Sequence, residues 1–354
     1  MYWYYFIYGL VLSGVTFSLV NDGKVRRYIL RLYFPFVLFL LAIFAGLRSS
    51  AIDRDYTNYL SWFNSITSGN LFAQDWRKDP AFVLVSYIVS LFGWGYVVVA
   101  LIFAGLALTF KLYYSQMVFW NRWLPLFFYL IVCHTFLSGE MTEIRAAVAI
   151  PIMSISIILA NRNEKRLAML LFILACAFHL SALMGLPILF LVLIGAKFHS
   201  RIWIISLIPI SFIVVIALGG LLSAIAEYGR ISQYLNGEID TGGIHYLSIF
   251  LWAHIAVLSA VLFYFWKYMS GEEHLVAYCS ALGLFFLLVL HANDNLALRA
   301  SDVFELFDLF LFMIPLKYLK GDLRLVYAAM LIILGSALFE SSMQVVQPYQ
   351  WISA

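Results

Sequence analysis

Charge is what this chain lacks most. Only 12% of its 354 residues are charged, against roughly 25% in an ordinary soluble domain. So little charge cannot cover a soluble globule of this size, and a hydrophobic content of 64% excludes a disordered chain. Cysteine is also scarce. Cys133, Cys176 and Cys279 each sit inside an apolar run, so they read as small core residues with neither a disulfide framework nor metal-ligand spacing. No Gly-rich phosphate loop is present: Gly219-Gly220 and Gly242-Gly243 lack the lysine and the strand context. No internal repeat is visible, which gives an inverted-repeat transporter no support. The basic residues are dispersed between apolar runs, so the net charge of +3 forms no nucleic-acid patch.

What is present is long apolar runs and many rings. Aromatic residues make up 18% of the chain, with 31 Phe, 22 Tyr and 10 Trp. The continuous runs at 34–47 and 170–177 exclude a membrane β-barrel, whose strands alternate apolar and polar residues. A span needs about 20 apolar residues. The expected fold is therefore all-α: a polytopic integral membrane protein forming a single membrane domain over 1–354, with about 12 transmembrane helices and a range of 11–14. The expected spans are 2–20, 29–47, 96–112, 123–137, 143–160, two sharing 167–196, 202–222, 247–267, 275–291, 302–316 and 325–339. The first lacks a charged leader region and is read as retained. Residues 81–92 are too few to cross and are read as re-entrant or interfacial.

Basic residues favour the cytoplasmic side. Putting Lys24, Arg26, Arg27 and Arg31 inside, with the clusters at 162–166, 197–201 and 317–324, places both termini outside. The external segments are then about 48–80, 138–143, 223–246, 292–301 and 340–354. Seven basic residues stay outside against the rule: Arg48, Arg54, Arg77, Lys78, Arg145, Arg230 and Arg299. The stretch 167–196 adds a geometric argument. Its 30 residues give about 45 Å of helix, too little for two crossings of roughly 30 Å. Two half-depth helices meeting at Phe178-His179-Leu180-Ser181 solve this. Irregular backbone at that depth needs protein or a hydrated cavity beside it, so a wet pocket open to the outside is expected at His179.

Four polar clusters fall outside. Gly46-Leu47-Arg48 precedes Asp53-Arg54-Asp55-Tyr56 and Tyr59, with Asp55 and Tyr59 on one helix face. Glu140, Glu143 and Arg145 open a span, and an Arg among the free N–H groups of a helix start makes an anion site. His179 forms the third. Asn293, Asp294, Asn295 and Arg299 form the fourth, followed by Asp302, Glu305 and Asp308. Arg48, Arg145 and Arg299 point to a phosphate-rich ligand, because a guanidinium binds phosphate oxygens in a bidentate way. A nucleotide donor is disfavoured, since no aspartate cluster for a nucleotide-sugar metal is evident.

Taken in order, Gly46-Leu47-Arg48, Asp55-Tyr56 and Tyr59, Arg145, Ala177-Phe178-His179-Leu180-Ser181-Ala182, then Asn295, Arg299 and Pro315 resemble the EpsG-like group of Wzy-type polysaccharide polymerases. The likeness spans about residues 1–320. Ala146 stands where the family commonly has Gln, and Asp53 where a Gly usually precedes the Asp-Tyr pair. The resemblance implies polymerisation of O-antigen, capsule or exopolysaccharide repeat units on the periplasmic face of a bacterial inner membrane. A growing glycan would move from undecaprenyl diphosphate to the non-reducing end of a lipid-linked unit. No cofactor and no metal is implied. The implied partners are the lipid-linked donor and acceptor, the bilayer, a chain-length regulator and a flippase, with no nucleic acid. Arg48, Arg145 and Arg299 would bind diphosphate. His179 or Asp55 would be the general base. Tyr59, Tyr56, Glu143 and Asn295 would hold sugar. The alternatives are a flippase for lipid-linked oligosaccharide and an O-antigen ligase-type glycosyltransferase.

Overall fold

A computed structural model describes residues 1–17, 23–52, 55–69, 79–118, 122–207, 209–211, 213–214, 249–290, 294–344 and 346–351. The expected external loop 223–246, Asp53, Arg54, Arg77, Lys78 and Asn293 lie outside the described residues. The described chain is helical throughout, with no named strand among the described residues. The helices are α1 (Tyr2–Thr16), α2 (Gly23–Gly46), α3 (Tyr56–Ser68), α4 (Pro80–Leu91), α5 (Tyr96–Val118), α6 (Leu124–Thr135), α7 (Ile144–Asn161), α8 (Lys165–Phe178) and α9 (Leu186–Leu193). After the central gap come α10 (Ile249–Ala260), α11 (Gly271–Val289), α12 (Asp294–Asp302), α13 (Glu305–Tyr318) and α14 (Gly321–Ser342).

Among the described residues, six helices are long and apolar enough to cross a membrane: Gly23–Gly46, Tyr96–Val118, Ile144–Asn161, Phe250–Tyr268, Gly271–Val289 and Gly321–Ser342. The chain is a membrane protein by this content, while the expected number of about 12 spans is not reproduced. Several expected spans appear as shorter helices, including α6 with 12 residues and α9 with 8. Apolar runs do not reveal where the backbone departs from an α-helix. The expected span 123–137 changes at Phe136 into a five-residue π-turn, Phe136–Glu140. The stretch 167–196 is divided as its length requires: α8 ends at Phe178, and a 3-10 segment Leu180–Gly185 precedes α9. The segment expected to be too short at 81–92 is α4, a single helix of 12 residues.

The chain forms two compact units. The first holds Met1–Ser156, Arg166–Leu183 and Leu325–Ala354, and the second Ile157–Lys165 and Met184–Arg324. In the first unit α2 lies close along α5, because Gly46 has no side chain to separate them. A Cβ at Gly46 would come within 2.5 Å of the Leu101 side chain. Small residues let apolar helices approach where the surrounding solvent is itself apolar. Aromatic packing closes one end of this unit. Tyr349 stacks on Phe44 with centroids 3.9 Å apart and donates its hydroxyl to the Phe44 carbonyl at 2.7 Å. The Ser49 N–H donates to the Gln350 carbonyl at 2.9 Å, so the stretch after α2 meets the C-terminal stretch.

In the second unit α11 packs on α12 and α13. Its start is a capping box: the Ser270 hydroxyl accepts from the Glu273 N–H, and the Glu273 carboxylate accepts from the Ser270 N–H. Deeper in, His254 Nε2 lies 2.6 Å from Ser280 Oγ and 3.5 Å from Asp308 Oδ1, all three side chains buried. Ser and Asp therefore contact the same ring nitrogen. A nucleophile relay needs them on opposite nitrogens, so this cluster is a buried polar joint.

Candidate functional site

Within the first unit three elements meet at one carboxylate, and a fourth packs on its arginine partner. Asp79 stands immediately before α4, and Pro80 takes the first helical position. A proline there loses no hydrogen bond, and an Asp before it is the expected cap. The Asp79 side chain makes no cap bond, however, and its backbone is left-handed at φ 50° and ψ 67°. Asp is among the few residues that tolerate this region. The carboxylate instead forms an ion pair with Arg145 Nη1 through Oδ2 and meets His179 Nδ1 through Oδ1 at 3.2 Å.

Arg145 is the second residue of α7, as the sequence places it. Its Nε donates to the Tyr59 hydroxyl at 3.4 Å, and its guanidinium lies over the Tyr59 and Trp62 rings at 5.1 and 5.2 Å. Tyr59 and Trp62 are three apart on α3 and so share a face. Trp62 rests on Phe82 of α4 at 4.5 Å, and Tyr59 packs against Tyr96. Burial pushes the Tyr59 phenol above its ordinary value, and the Arg145 charge pulls it only part of the way back. The phenol is thus neutral at physiological pH and accepts from the guanidinium. His179 follows the last residue of α8; its N–H donates to the Ala175 carbonyl and its carbonyl accepts from the Ala182 N–H.

Burial is graded across this cluster. The Asp79 side chain is 4% exposed, Arg145 18% and His179 26%. The carboxylate sits at the back, and the cation and imidazole reach the surface. Such a site offers a cation, Arg145, and an imidazole, His179, at its surface. Asp79 is the member that sequence reasoning missed. The Lys78-Asp79-Pro80 step is a signal that could have drawn notice, but it reads equally as a helix start.

The other expected residues have different surroundings. Arg48 is completely buried. Its Nη1 donates to the Ala45 carbonyl at 2.6 Å and its guanidinium packs over Tyr56 at 5.6 Å. Its burial follows from the aromatic packing over the end of α2. Tyr56 and Tyr59 are 4% and 5% exposed, with rings against Tyr96, so neither ring face is open to a sugar. Asp55 begins α3, where its Oδ1 accepts from Asn58 Nδ2 at 3.3 Å. The carboxylate that meets His179 Nδ1 is that of Asp79. Glu143 leads into α7, its N–H donating to the Ser138 carbonyl. Arg299 and Asn295 are on α12 of the second unit, and the Asn295 side chain lies outside the described residues.

One placement of the topology reading is overturned. That reading puts Lys111 at the inner end of its span and Glu140 outside, about a bilayer apart. Lys111 Nζ lies 2.8 Å from Glu140 Oε1 and donates to Thr135 Oγ1 at 2.6 Å. Helix α5 runs on to Val118, so Lys111 is two turns inside it, and the π-turn carries Glu140 back to meet it. Among the described residues no group of three His, Cys, Asp or Glu could hold a metal.

The model of the EpsG family matches residues 31–353. No curated protein and no solved structure matches the chain.

Proposed function

The chain belongs to the EpsG family, whose members are Wzy-type polymerase-like, and from that premise we propose that it polymerises polysaccharide repeat units. A growing glycan is transferred from undecaprenyl diphosphate to the non-reducing sugar of a lipid-linked unit, on the periplasmic face of a bacterial inner membrane. The observation that carries this reading is that Arg145 and His179, a cation and a candidate base on one carboxylate, both reach the surface of the first unit.

The roles follow from chemistry. An acceptor hydroxyl attacks the anomeric carbon of the donor sugar. The bond from that carbon to the phosphate oxygen breaks, and undecaprenyl diphosphate leaves with the electron pair. Arg145 neutralises the charge that grows on the leaving oxygens, held over Tyr59 and Trp62 by cation–π contact. His179 takes the hydroxyl proton. Charge is managed by Arg145, so the reaction needs no metal. Arg299 as a second diphosphate ligand rests on the sequence alone.

The test is lengthening of lipid-linked repeat units by the purified protein in liposomes, without added metal. Arg145→Ala and His179→Ala should each slow it by about 10²–10⁴-fold. Near-normal lengthening by both variants would refute the site. In a deletion strain a polymerase leaves single repeat units reaching the surface, whereas a flippase leaves substrate on the inner leaflet and a ligase leaves polymer unattached.

A further inference from the structure

We infer that Asp79 is the positioning residue of the site: it fixes the tautomer of His179 and holds Arg145 beside it. This deepens the reading above and rests on it. The argument begins with the nitrogen used. Asp79 Oδ1 faces His179 Nδ1 at 3.2 Å. A carboxylate only accepts, so Nδ1 carries the proton. The lone pair of the neutral ring is then on Nε2. A ring nitrogen whose tautomer is set by a buried carboxylate on the other side is the arrangement that makes an imidazole a directed base.

The second oxygen of the same carboxylate holds Arg145 Nη1, while Tyr59 takes Nε. Two of the guanidinium's directions are thus pinned from behind. A single carboxylate sets the spacing between the phosphate-binding group and the base. Burial sharpens the effect, since at 4% exposure Asp79 is little screened by water. Its backbone supports the same conclusion. A left-handed, non-glycine residue that forgoes its cap bond is held by its tertiary contacts.

Among the described residues, Asp79 meets His179 directly and Arg145 lies beyond it on the same carboxylate; Asp55 and Glu143 act on the adjoining Tyr59. Asp79→Asn removes the anion that favours imidazolium and leaves the Arg145 cation that opposes it. Loss of the anion, with the cation still in place, lowers the pH at which His179 loses its proton. The acid limb of the rate profile, where a general base becomes protonated, therefore moves to lower pH.

The experiment measures lengthening in liposomes, using lipid-linked repeat units extracted from cells lacking this protein. Asp79→Asn should cut kcat by about 10²-fold or more, change the donor KM by less than about threefold and move the acid limb down by about one pH unit. Asp79→Glu should restore part of the rate. If Asp79→Asn keeps both kcat and the acid limb while Arg145→Ala and His179→Ala are inactive, the inference is wrong and the polymerase site stands. If those two variants remain active, the site reading fails instead. A variant that does not fold leaves a second measurement on the unaltered protein. ¹⁵N-histidine spectra in nanodiscs, assigned by loss of one signal in His179→Gln, should show the Nδ1–H form. An Nε2–H form overturns the inference.

Discussion

The buried pair between Lys111 and Glu140 allows a quantitative test of how the first unit is held together. Both residues are 1% exposed, and Lys111 Nζ reaches Glu140 Oε1 at 2.8 Å, Oε2 at 3.0 Å and Thr135 Oγ1 at 2.6 Å. Removing one member strands the other charge in an apolar interior, which costs about 3–5 kcal/mol. Removing both leaves nothing to desolvate and is nearly neutral or stabilising. Lys111→Met and Glu140→Met each put an unbranched apolar side chain of similar length in place of the charged one. Each single variant should therefore shift the unfolding equilibrium by two to four powers of ten, since about 1.4 kcal/mol is tenfold. The double variant should return to within about 1 kcal/mol of the parent, a coupling far above the error of such cycles. Reversible unfolding in mixed micelles, read by far-ultraviolet circular dichroism, measures all four proteins. If each single loss stays under about 1 kcal/mol, or the two losses add in the double variant, the pair does not brace the π-turn.

Two further predictions concern packing and capping. A Cβ at Gly335 would lie 2.4 Å from the Tyr129 ring, which is itself fully buried; Gly335→Ala should cost about 1–3 kcal/mol by overpacking, although alanine is the better helix former. An unfolding midpoint that stays put or rises would contradict that placement of α14 on α6. Ser270→Ala removes one half of the capping box on α11 and should cost about 1 kcal/mol. Hydrogen exchange at 271–274 in nanodiscs should quicken, and unchanged protection there would count against the box.

Much of the architecture was legible because apolar runs and their lengths are properties of the sequence. The division of 167–196 follows from arithmetic: the residues cannot make two crossings, and the chain departs from an α-helix after Phe178. Helix ends were less legible. Helix α2 begins at Gly23, because Lys24, Arg27 and Arg31 continue the helix beyond the apolar run and lead their charged tips to water. Lys111 was misplaced for a different reason. Basic residues were used as signs of the inner face, and a lysine that pairs with an acid 29 residues away carries no local sign of it.

The candidate site divides along the same line. Arg145 and His179 stood out because each breaks a local rule: a cation at the positive end of a helix, and an imidazole in an apolar run too short for its topology. Asp79 breaks none. An Asp before a Pro at a helix start satisfies both the capping rule and the N1 rule, so local reasoning explains it fully and stops. Only its partners, 66 and 100 residues away, show that the carboxylate is engaged elsewhere. Arg48 is the converse. It ends an apolar run and so looked like a phosphate ligand, yet the rings of Phe44, Tyr56 and Tyr349 gather around the same end of α2 and enclose it. The order of the chain shows which residues are polar in an apolar setting, whereas burial decides which of them can meet a ligand. In the first unit Arg145 and His179 reach the surface, Arg48 is enclosed, and Asp79 lies behind them.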